Sequence, residues 1–290
     1  MSRYEPLQSE WAMLLGRRAA MRDSLSIYEG LLEAWVRWPE SRLMPLRWSS
    51  AECRARWERS QPLIVDAPLE IPLSEIEDQL VSVLELVAGL GEAEAQAVER
   101  LALALTTDPV SVSTLLRGLR NPDRGAMPSA LPCPTDLLAF VTYGSLRPLL
   151  EEYFLEARPH FGSEFWDQGH CPFCGAFPAF IEFGDDGKRR LVCHLCSGVW
   201  TLGRLRCPYC DNRDPKSLVR LAAEGGEEGY LIEACDLCKG YLKGVDRRLR
   251  WDLGSPIIED WGSPHLDLIA QRKGYWRATP CLIQLAHVES

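Results

Sequence analysis

The sequence has no surplus of positive charge and no long apolar run. Lys and Arg number 32 against 41 Asp and Glu, so the net charge is −9. Proteins that mainly bind the DNA or RNA backbone rely on surplus Lys and Arg, and the charge argues against that class. No segment approaches the ~18 uninterrupted apolar residues of a transmembrane helix. The N-terminus lacks the apolar core of a signal peptide, so we expect a cytoplasmic protein without membrane insertion.

Sequence patterns of catalysis are also lacking. No nucleophile–base pair, phosphate-binding glycine loop or paired-carboxylate pattern occurs at a useful spacing. Gly225-Gly226 is typical of a turn. We therefore expect a protein that is not an enzyme.

Cysteine is scarce in the first part of the chain and abundant in the second. Only Cys53 and Cys133 of the 11 cysteines precede residue 166. The composition, 46% hydrophobic and 25% charged, is that of a globular protein, and 290 residues favour about two domains. Because cytoplasmic thiols stay reduced, clustered cysteines there indicate metal or redox chemistry rather than structural disulfides.

Residues 1–165 show the patterns of an all-helical domain. Ser74 to Glu77 reads as a capping box, and apolar residues then recur at helical spacing to Val87. Asp108-Pro109 suits another helix start. Further helices are predicted over residues 11–20, 25–36, 93–105 and 137–157, the last as one helix or two because of Gly144 and Pro148. Asn121 to Pro134 is predicted to be a loop.

Five tryptophans crowd the first 60 residues. We expect them to pack in the core of the helical domain. A partner-binding surface is the alternative, since Trp is enriched at interface hot spots. They are Trp11, Trp35, Trp38, Trp48 and Trp57.

The second part of the chain contains four Cys-x-x-Cys pairs. They are Cys171/Cys174, Cys193/Cys196, Cys207/Cys210 and Cys235/Cys238. The two-residue gap lets a tight turn present two thiolates to one tetrahedral metal, and two such turns complete a four-sulfur site. One pair is a weak signal, whereas four pairs within 68 residues are a strong one. All eight cysteines are therefore candidate metal ligands.

The array is duplicated in the order A-B-A-B. Cys171-Pro172-Phe173-Cys174 resembles Cys207-Pro208-Tyr209-Cys210, and the segment from Cys193 resembles that from Cys235. β-Hairpins are predicted between the pairs, with strands near 180–183, 190–192, 218–221 and 230–232. We expect two modules over residues 166–206 and 207–290, the second ending in a helix. Crossed pairing of the four turns stays open.

The spacing leaves the metal undecided. Tetrahedral four-sulfur sites suit zinc and iron alike, and spacing alone favours structural zinc, the usual metal of such sites.

Thiol–disulfide catalysis is disfavoured as the role of the cysteines, because a catalytic Cys-x-x-Cys motif normally occurs once at a helix N-terminus. Cys53, Cys133 and Cys281 are expected to be bystanders. His170 and His194 are interpreted as neighbours of the ligands or as hydrogen-bond donors around them.

These motifs resemble those of the formate dehydrogenase accessory protein FdhE family. The resemblance covers about residues 171–277. Its motifs are Cys171-Pro172-x-Cys174-Gly175, Arg190-Leu191-x-Cys193-x-Leu195-Cys196, Trp200, Arg204, Cys207-x-x-Cys210, Glu233-x-Cys235-x-x-Cys238-x-x-Tyr241-Leu242-Lys243, Leu266-Asp267-Leu268-Ile269-Ala270 and Gly274-Tyr275-x-Arg277. Val199 departs from the family's usual acidic residue, and Thr279-Pro280-Cys281 departs from its usual Asn-Pro-aromatic.

The resemblance implies a multidomain α+β protein. Its large all-α N-terminal domain would precede two small rubredoxin-like or zinc-ribbon modules and a C-terminal helix. It also implies a cytoplasmic maturation factor that contacts the catalytic subunit of respiratory formate dehydrogenase. The eight paired cysteines would hold iron at two mononuclear four-cysteine sites per chain, with zinc as the alternative metal. A homodimer is left open.

A zinc-ribbon protein with purely structural zinc is the alternative function. It would act as a nucleic-acid or protein binding module. The basic runs Lys188-Arg189-Arg190 and Lys243 to Arg250 favour it, although ordinary solvated faces explain both runs. The leading prediction therefore has no nucleic-acid partner.

Overall fold

The computed structural model describes residues 3–38, 45–64, 76–107, 131–221 and 227–281. Its contacts divide the chain into two compact units. Unit 1 comprises Met1–Pro45, Asp66–Tyr153 and Pro280–Ser290, and unit 2 comprises Leu46–Val65 and Phe154–Thr279. The segment at 46–65 thus groups with the cysteine-rich part of the chain, which the sequence patterns did not indicate. The predicted module boundaries at residues 165 and 206 stay predictions.

The described residues form eight α-helices and six strands, a mixed helix and sheet protein. The helices are α1 (Glu5–Arg17), α2 (Ser26–Val36), α3 (Ser50–Trp57), α4 (Glu77–Ala88), α5 (Glu92–Thr107), α6 (Thr135–Tyr153), α7 (Pro256–Trp261) and α8 (Pro264–Arg272). The strands are β1 (Pro178–Phe183), β2 (Arg189–Cys193), β3 (Val199–Thr201), β4 (Leu218–Leu221), β5 (Tyr230–Cys235) and β6 (Tyr241–Asp246).

The predicted helices of unit 1 are confirmed as α1, α2, α4, α5 and α6. Trp11 and Trp35 are buried, as expected of core residues. The expectation was wrong for the other three, because Trp38 and Trp48 are only half-buried and the buried Trp57 belongs to unit 2. The 137–157 range holds one helix rather than two, because α6 continues through Pro148. The predicted features at Ser74, Asp108-Pro109 and 121–130 lie outside the described residues.

Helix α3 of unit 2 was missed by the sequence analysis. It begins at a capping box in which the Glu52 backbone N–H donates to Ser49 Oγ and the Ser49 N–H donates to Glu52 Oε2. The Ser-x-x-Glu signal stands in the sequence. The apolar periodicity after it is weak, because three arginines occupy the short helix or flank its end.

The two predicted hairpins are present and lie in one continuous sheet. The strand order is β3-β2-β1-β6-β5-β4, with antiparallel pairing inside each half. The halves join where β1 pairs with β6 in parallel. At this junction Gly244 lies opposite Ile181, and a Cβ on Gly244 would approach the Ile181 carbonyl oxygen to 2.5 Å. Only glycine permits the two strands to lie this close.

Two helices rather than one follow the sheet. Residues of α8 pack on the second half of the sheet, where Leu266 and Ala270 share a buried cluster with Ile232, Tyr241 and Tyr275. The predicted C-terminal helix at 266–270 is thus confirmed in a longer form, preceded by α7. Among the described residues, no helix combines the length and apolar character needed to cross a membrane.

Candidate metal centres

The eight predicted ligands gather into two groups, both in unit 2. Within each group the sulfur atoms all lie within 4.8 Å of one another. The groups are Cys171, Cys174, Cys193 and Cys196 (the first site) and Cys207, Cys210, Cys235 and Cys238 (the second site). The pairs therefore combine in sequential order, and crossed pairing does not occur in the described part of the chain.

Each Cys-x-x-Cys pair adopts the same local fold. In all four turns the backbone N–H of the first cysteine donates to the carbonyl oxygen five residues later, at 2.8 to 2.9 Å. The residue after the second cysteine has a positive φ each time: Gly175 77°, Ser197 55°, Asp211 60° and Lys239 58°. This left-handed residue turns the chain back beside its own start and leaves both thiols on the inside of the turn.

The sulfur separations fit a tetrahedral metal. Metal–sulfur bonds of about 2.3 Å place the sulfur atoms of a tetrahedron about 3.8 Å apart. Two sulfur pairs of the first site are Cys171–Cys196 at 3.6 Å and Cys174–Cys193 at 3.4 Å. Those of the second site are Cys207–Cys238 at 3.7 Å and Cys210–Cys235 at 3.8 Å. Each group could therefore hold one metal ion.

Burial means that the first site can hold four thiolates only together with a cation. All four of its cysteines are at most 1% exposed, and burial raises the pKa values of the Cys171 and Cys174 thiols well above the ordinary value. Burial also acts on Cys196, but hydrogen bonds from the other three thiols and the Arg158 charge outweigh it and lower the pKa of Cys196. Four thiolates cannot share this space without a positive charge. A divalent or trivalent ion would supply that charge and displace the protons.

The second site is more open and supplies hydrogen bonds to sulfur. Cys210 is exposed and Cys238 is half-buried. Burial raises the pKa of Cys210 to about 11. Burial also acts on Cys235, but the backbone N–H groups of Cys238 and Leu237 and the Asn212 amide outweigh it and lower the pKa of Cys235 to about 7. Asn212 Nδ2 lies 3.4 Å from this sulfur.

An aromatic ring and a glycine recur at both sites. Phe173 in the first site and Tyr209 in the second occupy the same place in their turns. Their rings lie against Gly198 and Gly240, where an added Cβ would come within 2.6 Å and 2.5 Å of a ring carbon. The sequence repeat is therefore also a structural repeat.

The remaining candidate residues lie outside these two groups. Among the groups of possible ligands in the described residues, Cys53, Cys133 and Cys281 appear in none. Burial raises the pKa of Cys133 to about 11, which disfavours its thiolate. His194 Nδ1 lies 3.0 Å from the Phe177 carbonyl oxygen, and burial lowers the pKa of His170.

A buried ion network was missed by the sequence analysis. Lys243 Nζ lies 2.6 Å from Asp267 Oδ2 and 3.1 Å from Asp260 Oδ1. Arg277 contacts the same two carboxylates at 2.6 and 2.7 Å, and the Tyr241 hydroxyl donates to Asp267. Two cations balance two carboxylates, all with little or no exposure to solvent. The network ties β6, α7, α8 and the 277 region together.

Several of these residues belong to the motifs that carry the resemblance. Lys243, Asp267 and Arg277 are quoted there beside the cysteines. The basic run that begins at Lys243 predicted a solvent-exposed surface for this lysine, which the structure instead buries. No local pattern shows that a strand lysine, a helix aspartate and a tail arginine meet inside the protein.

Comparison with known proteins gives matches of two kinds. A curated FdhE homolog of Stutzerimonas stutzeri (strain A1501) is 40% identical over 121 residues, which are 40% of this chain and 39% of that protein. An FdhE homolog of Haemophilus influenzae (strain PittGG) is 32% identical over 38% of this chain and 36% of its own. The chain thus matches about two fifths of the length of these relatives. No family model matches the chain.

The fold match extends over nearly the whole chain. The crystal structure of the FdhE protein from Pseudomonas aeruginosa superposes with a TM-score of 0.64, covering 97% of this chain and 94% of that one at 20% identity. The predicted resemblance to FdhE is confirmed. At this identity the FdhE crystal structure establishes the shared fold, and the sequence matches connect it to proteins named FdhE homolog.

Proposed function

We propose that this chain is a cytoplasmic accessory factor for the maturation of respiratory formate dehydrogenase. It binds the catalytic subunit of that enzyme and carries two four-cysteine metal sites, without catalysing a reaction of its own. The observation that carries the proposal is the pair of four-sulfur groups within a fold shared with an FdhE protein over 97% of the chain. The eight cysteines are the proposed ligands.

We propose iron as the resident metal of both sites. The residues present fit it, because four thiolates at tetrahedral spacing suit iron and zinc alike. Bound iron would supply one-electron chemistry. The chain's own contribution is to fix four sulfurs and to direct backbone and Asn212 N–H donors at them, which stabilises the thiolate form.

Metal analysis with a visible spectrum tests the metal. Protein purified without oxygen is expected to contain two iron atoms per chain, to absorb in the visible when oxidised and to bleach on reduction. The control is the variant with Cys174 and Cys210 both changed to serine, which should lose the colour. A colourless, zinc-replete protein from iron-sufficient cells would contradict the iron proposal.

Anaerobic co-purification tests the partner. A tagged catalytic subunit of formate dehydrogenase is expected to retain the full chain, and an unrelated enzyme subunit of similar size is not. Equal retention on both baits, or retention on neither, would count against the proposed partner.

The structure weakens the motivation for a nucleic-acid binding role. The basic runs engage carboxylates: Arg190 pairs with Asp186, Arg248 with Asp246, and Arg250 with Asp252. Lys243 is buried within the ion network. We expect no salt-dependent shift of DNA or RNA at micromolar protein, and a shift that weakens steeply with salt would restore this role.

A further inference from the structure

The two metal sites differ in how the protein surrounds them. At the first site each of the four cysteines is at most 1% exposed. At the second site Cys210 is exposed and Cys238 half-buried. Since the two sites share one local fold, the difference comes from what the rest of unit 2 places around them.

The first site is covered by two distant chain segments. Leu63 and Ile64 donate backbone hydrogen bonds to the carbonyl oxygens of Pro172 and Phe173, inside the first Cys-x-x-Cys turn. The Trp57 indole N–H donates to the same Pro172 oxygen at 3.0 Å. Through these contacts, segment 46–64 packs against the first Cys-x-x-Cys turn and encloses it.

The cover continues on the other turn of the first site. Arg158 donates to the carbonyl oxygens of Cys196 and Ser197. The rings of Trp57, Phe154 and Phe161 lie within 6.0 Å of the Phe173 ring, centroid to centroid. Segments 46–64 and 154–161 therefore lie against both turns of the first site, whose cysteines are at most 1% exposed.

The second site has apolar side chains in solvent instead of a cover. Leu237, between the two cysteines of its turn, is 69% exposed, and Leu205, two residues before Cys207, is 59% exposed. The equivalent of Leu237 in the first site is Leu195, which is fully buried. The same residue type at the same place in the repeat is thus enclosed in one copy and open in the other.

A groove is lined in part by the two less exposed cysteines of the second site. It has a volume of about 210 Å³, and its lining includes Cys207, Cys235, Arg204, Arg206 and Arg220. All four ligands of the second site therefore border either solvent or this groove. The first-site cysteines do not line it.

We propose that the two sites have different roles. The first holds a structural metal that fastens segments 46–64 and 154–161 to the sheet. The second is an accessible site whose metal exchanges with solutes. Opening the first site requires sub-global unfolding, whereas the second requires only local movement. The inference rests on the proposed occupancy of both sites by metal.

Chelator competition on the native, metal-loaded chain tests this division. Metal content is counted first, and a chromogenic chelator in excess then records release over time. Two phases of about one metal each are expected, the faster at least about tenfold faster than the slower. The variant Cys210→Ser is expected to lose the fast phase and keep the slow one. Trp57→Ala is expected to accelerate the slow phase alone.

Alkylation of the unmodified sequence assigns the phases without any variant. Metal-loaded protein is treated with chelator and iodoacetamide, and peptides are quantified by mass spectrometry over time. Cys210 and Cys238 should be labelled during the fast phase, and the first-site cysteines only during the slow one. Fewer than two metals per chain would contradict the proposed function. Two metals that leave in one phase, or earlier labelling of the first site, would overturn the division of roles alone.

Discussion

The indole N–H of Trp35 donates a hydrogen bond to the carbonyl oxygen of Gly144 at 2.7 Å. Gly144 stands four residues before Pro148, and a proline leaves the carbonyl oxygen at that position without its usual helical donor. Trp35 of α2 therefore supplies the hydrogen bond that α6 lacks. This explains how α6 runs without a break through a proline.

Replacing Trp35 by phenylalanine should expose this dependence. We expect Trp35→Phe to lower the free energy of unfolding by about 1–3 kcal/mol, because a buried carbonyl loses its donor. In a Pro148→Ala background, the alanine N–H can donate a hydrogen bond to the Gly144 carbonyl oxygen. The loss of free energy of unfolding caused by Trp35→Phe should therefore be smaller in that background. Urea unfolding of the four chains of this double-mutant cycle measures the coupling. Equal costs in both backgrounds would show that the indole acts through packing alone.

The buried contact between Tyr4 and Glu151 predicts that the protein loses stability at alkaline pH. The Tyr4 hydroxyl donates to Glu151 Oε2 at 2.6 Å, and burial, followed by the Glu151 charge, raises the pKa of Tyr4 well above 10.0. Because the folded pKa lies above the unfolded one, the stabilisation is complete below pH 10.0 and is lost as the pH rises beyond it.

The matched comparison is Tyr4→Phe, measured by urea unfolding from about pH 9 to about pH 11. The free energy of unfolding of the unmodified chain should fall more over this range than that of the variant. The difference between the two free energies should therefore become smaller as the pH rises. Other tyrosines titrate in both chains and cancel in the difference. A difference in the free energy of unfolding that stays constant across this pH range would contradict the attribution of the alkaline loss of stability to Tyr4.

Lys243 should be essential to the stability of unit 2. We expect Lys243→Met to lower the free energy of unfolding by about 3–5 kcal/mol, because it leaves an uncompensated buried carboxylate. The double variant Lys243→Met/Asp267→Asn removes one charge of each sign and should lose less. Lys273→Met, at an exposed position just after α8, is the control and should change little. If the double variant is no more stable than Lys243→Met, the effect of Lys243 comes from side-chain packing rather than from charge balance.

Gly244 should be required where the two halves of the sheet join. We expect Gly244→Ala to destabilise the protein by about 1–3 kcal/mol, since its Cβ would meet the Ile181 carbonyl oxygen at 2.5 Å. Gly203→Ala is the control, because no atom lies within 4 Å of its added Cβ. Hydrogen exchange should show faster exchange in β1 and β6 for Gly244→Ala only. Unchanged exchange there would mean that the strands can separate enough to accept a methyl group.

Local sequence patterns predicted much of the fold. Apolar spacing located α4, and the predicted range 93–105 located α5, to within a few residues, and the duplicated Cys-x-x-Cys turns indicated both four-sulfur groups. These features depend on residues close together in the chain, where backbone preferences and short hydrogen bonds decide the conformation. The short helix α3 was missed because its capping box precedes too little apolar periodicity.

The sequence by itself determined the four turns, the helical character of unit 1 and sulfur as the candidate metal-binding atom. Only the tertiary structure decided which turns combine, that β1 and β6 join the two halves, and that Lys243 is buried against Asp267. It also decided that the first site is enclosed by segment 46–64 while the second remains open. These are contacts between distant residues, and they depend on packing and charge balance that no local pattern records.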